Sequence, residues 1–336
     1  MTTPATTTAA VMGAGSWGTA FALVLADAGN DVRLWGRRPE LCDAINATGQ
    51  NPDYLPEIDL PDGITATPDP AEALAGADVV VLAVPSQQLR ANLTEWGEHI
   101  GDSAVMVSLM KGIELGTHKR MSEVIAELTG AGPERIAVVS GPNLAKEIAR
   151  REPAASVVAC EDPSVAEHLQ RLCHSEAFRP YTITDVIGAE LGGTTKNIIG
   201  LAVGVCQGLG FGDNTKASVI TRGLAETARL GNAIGADPMT FAGLAGMGDL
   251  VATCSSPLSR NRTFGEKLGQ GLSVDEVAAQ TRQVAEGVKS CQSVAELAAL
   301  HGVEMPIVDH VAALIAGEMT PEQLVKALIS RQARPE

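Results

Sequence analysis

Over the first half of the chain, short apolar runs rich in β-branched residues alternate with longer segments of helical periodicity, a pattern that predicts a parallel sheet flanked by helices. The runs are Ala9–Met12, Val32–Trp35, Ile64–Thr67, Val79–Val84, Ala104–Ser108, Ile136–Ser140, Ala155–Ala159 and Phe178–Ile183. Helix is expected over Ser16–Ala28, from a cap at Ser86 toward His99, and over Val165–Cys173 behind Pro163, a residue suited to the first helical turn. Beyond Asp185 the strand-like runs cease. Asp237-Pro238, Ser273 with Glu276, and Thr320-Pro321 with Gln323 each read as a helix start, the last two as capping boxes. Met1–Thr8 and Arg331–Glu336 carry neither pattern and read as loose ends. The change of texture near Asp185 divides the 336 residues into two domains.

Composition places the chain among folded globular proteins, with 45% hydrophobic and 19% charged residues. Lys and Arg number 25 against 40 Asp and Glu, a net charge of −15 that argues against a nucleic-acid partner and against an anionic membrane face. An anionic ligand would need a local positive pocket. Aromatic residues at 3% leave few rings for base stacking. Cys42, Cys160, Cys173, Cys206, Cys254 and Cys291 form no C-x-x-C pair and read as reduced core thiols. The six histidines form no i, i+4 pair and no cluster with cysteine, so no metal is expected. The apolar run Ala9–Ala26 superficially resembles a leader peptide, but it lacks a basic leading region and is broken by three glycines. A cytoplasmic protein without stable membrane insertion is expected.

Those glycines follow the first strand-like run as Gly13-Ala14-Gly15-Ser16-Trp17-Gly18. Gly13 permits a tight turn, Gly15 lets backbone approach a pyrophosphate, and Gly18 lets helix and strand pack closely, while the helix start offers N–H groups. Such a turn can serve packing alone, yet its strand–turn–helix–strand setting favours a dinucleotide. The expected fold is therefore α/β, an N-terminal Rossmann-like dinucleotide-binding domain over 1–187 followed by an all-helical, substrate-binding and catalytic C-terminal domain over 188–336. The second run ends in Leu34-Trp35-Gly36-Arg37-Arg38. No carboxylate stands there for a ribose 2′-hydroxyl, and two guanidiniums are placed for a 2′-phosphate, so NADP(H) is favoured and NAD(H) use is left open.

Between Glu190 and Asp213 the only charged residue is Lys196. Burial would lower its pKa and suit proton exchange; a structural ion pair with Glu190 or Asp249 accounts for it equally well. Lys111 follows a strand end, where ligands of open α/β sheets gather, and would depress the pKa of Lys196 if close; alone it is a loop lysine. Gly141 and Asn143 also follow a strand and offer close backbone approach, a donor and an acceptor, or form only a turn. Ser259 or Asn261 would cap a helix whose free N–H groups, with Arg260, grip a phosphate. Val284-Ala285-Glu286-Gly287 passes for a surface turn.

In order along the chain, GAGSWGTA from Gly13, LWGR from Leu34, KGIE from Lys111, SGPNLAKE from Ser140, LGGTTKN from Leu191, GDN and TRGLAE near Asp213 and Thr221, GMGDL from Gly246, SRNR from Ser259 and VAEG from Val284 resemble the bacterial-type NAD(P)-dependent glycerol-3-phosphate dehydrogenases nearly end to end. The resemblance implies reduction of dihydroxyacetone phosphate to sn-glycerol 3-phosphate for glycerophospholipid synthesis. It implies that Ser16, Trp17, Arg37, Arg38, Ala145 and Glu286 contact the cofactor with support from Val284, and that Lys111 touches both ligands. Gly141 and Asn143 would bind substrate and Lys196 would be the proton donor and acceptor. Asp249, Ser259, Arg260 and Asn261 would complete the phosphate and triose site, Arg260 also reaching the cofactor. Asn143 departs from the Thr or Ser of many members. A homodimer accords with the resemblance. Competing readings are a dehydrogenase of another small hydroxy or keto acid, and a dinucleotide-binding sensor in which Lys196 is only an ion pair.

Overall fold

The computed structural model describes residues 7–280 and 285–329. The described chain forms two compact units, one holding the residues up to Met110 together with Arg120–Ala189, the other holding Lys111–Lys119 together with the residues from Glu190 on. A single division after residue 187 does not contain the excursion of Lys111–Lys119. Its cause lies in side chains of the second unit: Ser293 Oγ donates to the Ile113 carbonyl at 3.0 Å, and His118 Nε2 meets the Glu296 carboxylate at 2.7 Å.

In the first unit the eight apolar runs become eight strands of one sheet: β1 Thr8–Met12, β2 Asp31–Trp35, β3 Ile64–Thr67, β4 Val79–Leu82, β5 Val105–Ser108, β6 Ile136–Ser140, β7 Ala154–Cys160 and β8 Phe178–Ile183. Their order is β3-β2-β1-β4-β5-β6-β7-β8. The winding reverses between β1 and β4, the place where open α/β sheets bind ligands at the carboxyl ends of their strands. Alternate residues feed two cores. Ala9, Val11, Val79 and Val81 pack with Phe21, Leu23 and Leu25 of the helix Ser16–Asp27, whereas Ala10, Met12, Val80 and Leu82 pack with Leu89, Leu93 and Trp96. Burial on both faces is why these strands read as unbroken apolar runs.

The expectation of a parallel sheet is corrected at β7, which runs antiparallel to β6. Between them the chain forms only the five-residue helix Ala145–Ala149. At ~1.5 Å per residue that helix rises about 7.5 Å, too little to carry the chain back along a strand of ~17 Å and re-enter from the same end. β8 then pairs parallel with β7 at the sheet edge, where Pro180 is tolerated.

The second unit is built from helices, chiefly the greater part of Val186–Gly208 with Asp213–Ala233, Arg260–Gly269, Glu286–Leu300 and Pro306–Ile315. The capping boxes at Ser273/Glu276 and Thr320/Gln323 both close. Two expected helix starts differ in detail. Pro238–Ala242 is a 3-10 turn capped by Asp237, and the helix after Ser86 begins only at Leu89, beyond a 3-10 turn, and ends at Trp96. Glycines bring two helices into backbone contact: a Cβ on Gly204 would lie 2.1 Å from the Arg262 carbonyl oxygen, and one on Gly265 would lie 2.1 Å from that of Leu201. This close crossing sets where the helix Arg260–Gly269 begins relative to Lys196. No helix among the described residues is long and apolar enough to cross a membrane.

Candidate functional site

In the first unit the chain turns sharply after β1. Gly13 takes φ +138°, and a Cβ there would lie 2.6 Å from the Ala83 carbonyl oxygen; a Cβ on Gly18 would lie 1.9 Å from the carbonyl oxygen of Gly13. Both positions demand glycine. Gly15 differs, because nothing lies within 4 Å of its Cβ position and its backbone faces open space. It precedes the helix Ser16–Asp27 with no side-chain cap, and the first helical bond runs from Thr19 N–H to the Gly15 carbonyl. Trp17 Nε1 is buried without a partner. An uncapped helix start beside bare backbone fits a pyrophosphate.

Arg37 and Arg38 are exposed just beyond β2. Arg37 makes no ion pair among the described residues, whereas Arg38 is paired with Asp53. The expectation that no carboxylate stands at this strand end is thereby corrected: one arrives from a loop 15 residues further along the chain. At the end of β6, Gly141 takes φ +126°. Both amide atoms of Asn143 and the hydroxyl of Ser140 are buried without partners, a pattern that in native proteins calls for a water, ion or ligand. Ala145 opens the short helix that follows.

In the second unit Lys196 lies within the helix Val186–Gly208 and is 8% exposed. Asp249, 1% exposed, opens the helix Asp249–Ser255 and is delivered there by a π-helical turn over Leu244–Gly248, a geometry frequent at functional sites. Lys196 Nζ donates to Asp249 Oδ1 and, at 2.7 Å, to Thr253 Oγ1. Lys111 Nζ donates to the other oxygen, Oδ2, at 2.5 Å. Burial lowers the pKa of Lys196 to about 8, with Asp249 opposing the fall and Lys111 adding to it. One carboxylate between two ammoniums leaves the cluster with one positive charge in excess. Thr253 escaped the sequence reading; its signal is its place one turn beyond Asp249, on the same helix face.

Ser259 caps the helix Arg260–Gly269, its Oγ accepting from Arg262 N–H at 3.3 Å. The first helical bond comes from Thr263, so the N–H groups of Arg260 and Asn261 have no acceptor within the helix. Arg260 is exposed at the start of this helix, and desolvation by the surrounding protein lowers its pKa against the pull of Glu286. The buried amide of Asn261 is engaged inside the protein: Oδ1 accepts from Gly287 N–H and Nδ2 donates to Asn197 Oδ1, both at 2.9 Å. It ties the start of this helix to the start of Glu286–Leu300, whose first residue is Glu286. Val284 lies outside the described residues. Among the described residues no group of three or more His, Cys, Asp or Glu is placed to hold a metal ion.

Residues 8–166 match the model of the NAD-dependent glycerol-3-phosphate dehydrogenase N-terminus, and residues 185–326 match that of the C-terminus. The NAD(P)+ glycerol-3-phosphate dehydrogenases of Streptomyces griseus and Thermobifida fusca are 64% and 63% identical to this chain, each match covering 98% of this chain and 98% of the relative. The crystal structure of glycerol-3-phosphate dehydrogenase from Coxiella burnetii is 38% identical, with a TM-score of 0.93, and the match covers 98% of this chain and 100% of that one. Agreement over both halves at this level of identity makes the chain a member of the NAD-dependent glycerol-3-phosphate dehydrogenase family.

Proposed function

We propose that the chain catalyses the NAD(P)(H)-linked reduction of dihydroxyacetone phosphate to sn-glycerol 3-phosphate, in the cytoplasm, as a supply for glycerophospholipid synthesis. The observation that carries the reading is the buried cluster of Lys196, Asp249 and Lys111, a proton source with a pKa of about 8 and net positive charge, inside a chain whose own charge is −15. When bound, the dihydronicotinamide supplies a hydride to the ketone carbon. The displaced electron pair collects on the ketone oxygen, where the Lys196 ammonium stabilises it and gives up its proton; in the reverse direction the amine takes the hydroxyl proton. Asp249 keeps Lys196 oriented and charged, and Lys111 brings its pKa down toward the working pH.

The substrate phosphate is held by the Ser259-capped helix start with Arg260, and the triose by Gly141 and Asn143, with Asn261 completing the site through its backbone N–H, its side-chain amide being engaged by Gly287 and Asn197. Anchoring a non-reacting phosphate holds the carbonyl in register, so losing Arg260 lowers turnover as well as affinity. Gly13, Gly15, Gly18, Ser16 and Trp17 hold the pyrophosphate of the dinucleotide, Ala145, Glu286 and Lys111 add further contacts, and Arg37 with Arg38 favours NADP(H) over NAD(H). A homodimer belongs to the same proposal, and the net charge of −15 argues against a nucleic-acid partner. The test is the loss of reduced-nicotinamide absorbance with dihydroxyacetone phosphate, run with NADPH and NADH on wild type and Lys196→Ala. Rapid oxidation that vanishes in the variant, with cofactor affinity little changed, supports the reading. An active variant removes Lys196 from its role, and an inert wild type that still binds dinucleotide sinks the substrate assignment.

A further inference from the structure

The loop that carries Asp53 is fixed to the glycine-rich turn by bonds in which Asp53 takes no part. Asn51, fully buried, donates through Nδ2 to the Ala14 carbonyl at 3.0 Å and to Thr19 Oγ1 at 2.9 Å. Its Oδ1 accepts from Tyr54 N–H at 3.2 Å, its carbonyl accepts from Leu55 N–H at 3.0 Å, and Ser16 Oγ donates to the Tyr54 carbonyl at 3.3 Å. Asp53 stands between these anchors on the exposed side, facing Arg38, which precedes the helix Pro39–Thr48. The backbone therefore holds a carboxylate at the end of β2 whether or not Arg38 is present to pair with it.

In this fold the second strand end is where an acidic residue accepts from an adenosine ribose 2′-hydroxyl, or where an arginine takes a 2′-phosphate. This chain sets both kinds of group there, in contact with one another, and leaves Arg37 without an ion pair among the described residues. We propose that Asp53 is a specificity-determining residue for the dinucleotide: it accepts the ribose 2′-hydroxyl of NAD(H), and it opposes NADP(H) by occupying Arg38 and repelling a 2′-phosphate. The inference rests on the dinucleotide-dependent activity proposed above and adds a residue that acts against the preference of the two arginines. It also gives a physical reason for use of both cofactors from a single site.

The experiment is calorimetric titration of the whole protein with NADP+ and with NAD+, without substrate, on wild type, Asp53→Ala and Asp53→Asn. Asp53 is exposed and the loop anchors are elsewhere, so neither variant disturbs the fold; a thermal melt verifies that. Removing one negative charge at about 4 Å from an anion in a solvent-like dielectric is worth about fivefold in binding. Asp53→Ala should tighten NADP+ by about that factor and weaken NAD+ by a few-fold through loss of the ribose bond, with Asp53→Asn reproducing the first effect and softening the second. Opposite movement of the two ligands is the signature. Variants that move neither ligand, or both in the same sense, overturn the role of Asp53 while the activity stands. A wild type that binds neither dinucleotide overturns this inference together with the reading beneath it.

Discussion

Asp249→Asn probes the charge cluster where its parts oppose one another. The substitution keeps size and one acceptor oxygen but removes the carboxylate that both Lys196 and Lys111 contact. With a pKa of about 8, Lys196 is about 90% protonated at pH 7. A contacting opposite charge holds a pKa up by about 1–3, so without it the alkaline limb of the reductive rate should move to lower pH by that amount. A displacement of two pH units would leave about a tenth of Lys196 protonated at pH 7 and lower the rate about tenfold. Lys111→Met removes the like charge instead and should move the limb to higher pH. The assay is kcat against pH for dihydroxyacetone phosphate reduction on wild type and both variants. Asp249→Asn also leaves the buried Lys196 ammonium beside a neutral amide in place of its carboxylate, a loss of about 3–5 kcal/mol where a buried pair is broken, so thermal melts accompany the kinetics. Limbs that stay in place, or that both move in one direction, refute the assignment of that ionisation to Lys196.

Gly204→Ala forces a methyl about 1 Å inside the closest real contact with the Arg262 carbonyl oxygen, and should cost about 1–3 kcal/mol of stability and raise KM for the phosphorylated substrate by displacing the start of Arg260–Gly269; an unchanged melting temperature would show that the helices separate freely. Glu226 is 4% exposed, accepts Ile307 N–H with both oxygens, and is pushed by burial from 4.5 up to about 7. The folded state therefore binds the extra proton more tightly, and the stability this contributes is full below about pH 4.5 and lost as pH rises through about 7. Melts of Glu226→Gln should lack that decline, and an identical slope in the variant would assign it to other groups. All six cysteines are buried, and burial pushes Cys173 and Cys254 up to about 12, so native protein at pH 8 should react slowly with a thiol reagent and unfolded protein should yield six equivalents.

The strands were legible because a sheet buried on both faces writes itself as uninterrupted β-branched runs, and the glycine turn because its steric demands leave no other residue at Gly13 or Gly18. Strand direction was not legible. The reversal at β7 depends on how far a five-residue helix carries the chain, which no periodicity encodes. The excursion of Lys111–Lys119 was hidden because its anchors at Ser293 and Glu296 lie about 180 residues away. Asp53 was not legible because the carboxylate comes from outside the strand, on a loop held by Asn51. Thr253 looked like any helical threonine until the turn geometry put it on the face of Asp249. Glu226 was unremarked for the same reason, its burial being a property of the helix start at Ile307.

An excess of acidic residues opposes an anionic substrate at long range, but distance decides which charges matter. At physiological salt the screening length is about 8 Å, so carboxylates dispersed over the surface contribute little at a site more than a screening length away. The groups proposed to hold the substrate are Lys196 and Lys111 against Asp249, and the guanidinium of Arg260 against Glu286, together with the N–H groups at the start of Arg260–Gly269. The local balance is positive although the total is −15. The two scales predict opposite salt effects. If net charge governed encounter, added salt would screen repulsion and lower KM for dihydroxyacetone phosphate; if the local groups govern it, salt screens attraction and KM rises. Raising KCl from about 0.01 to 0.15 M shortens the screening length from ~30 to ~8 Å, enough to separate the cases. A rising KM supports local attraction, and a falling one would place the substrate's path over the acidic surface instead.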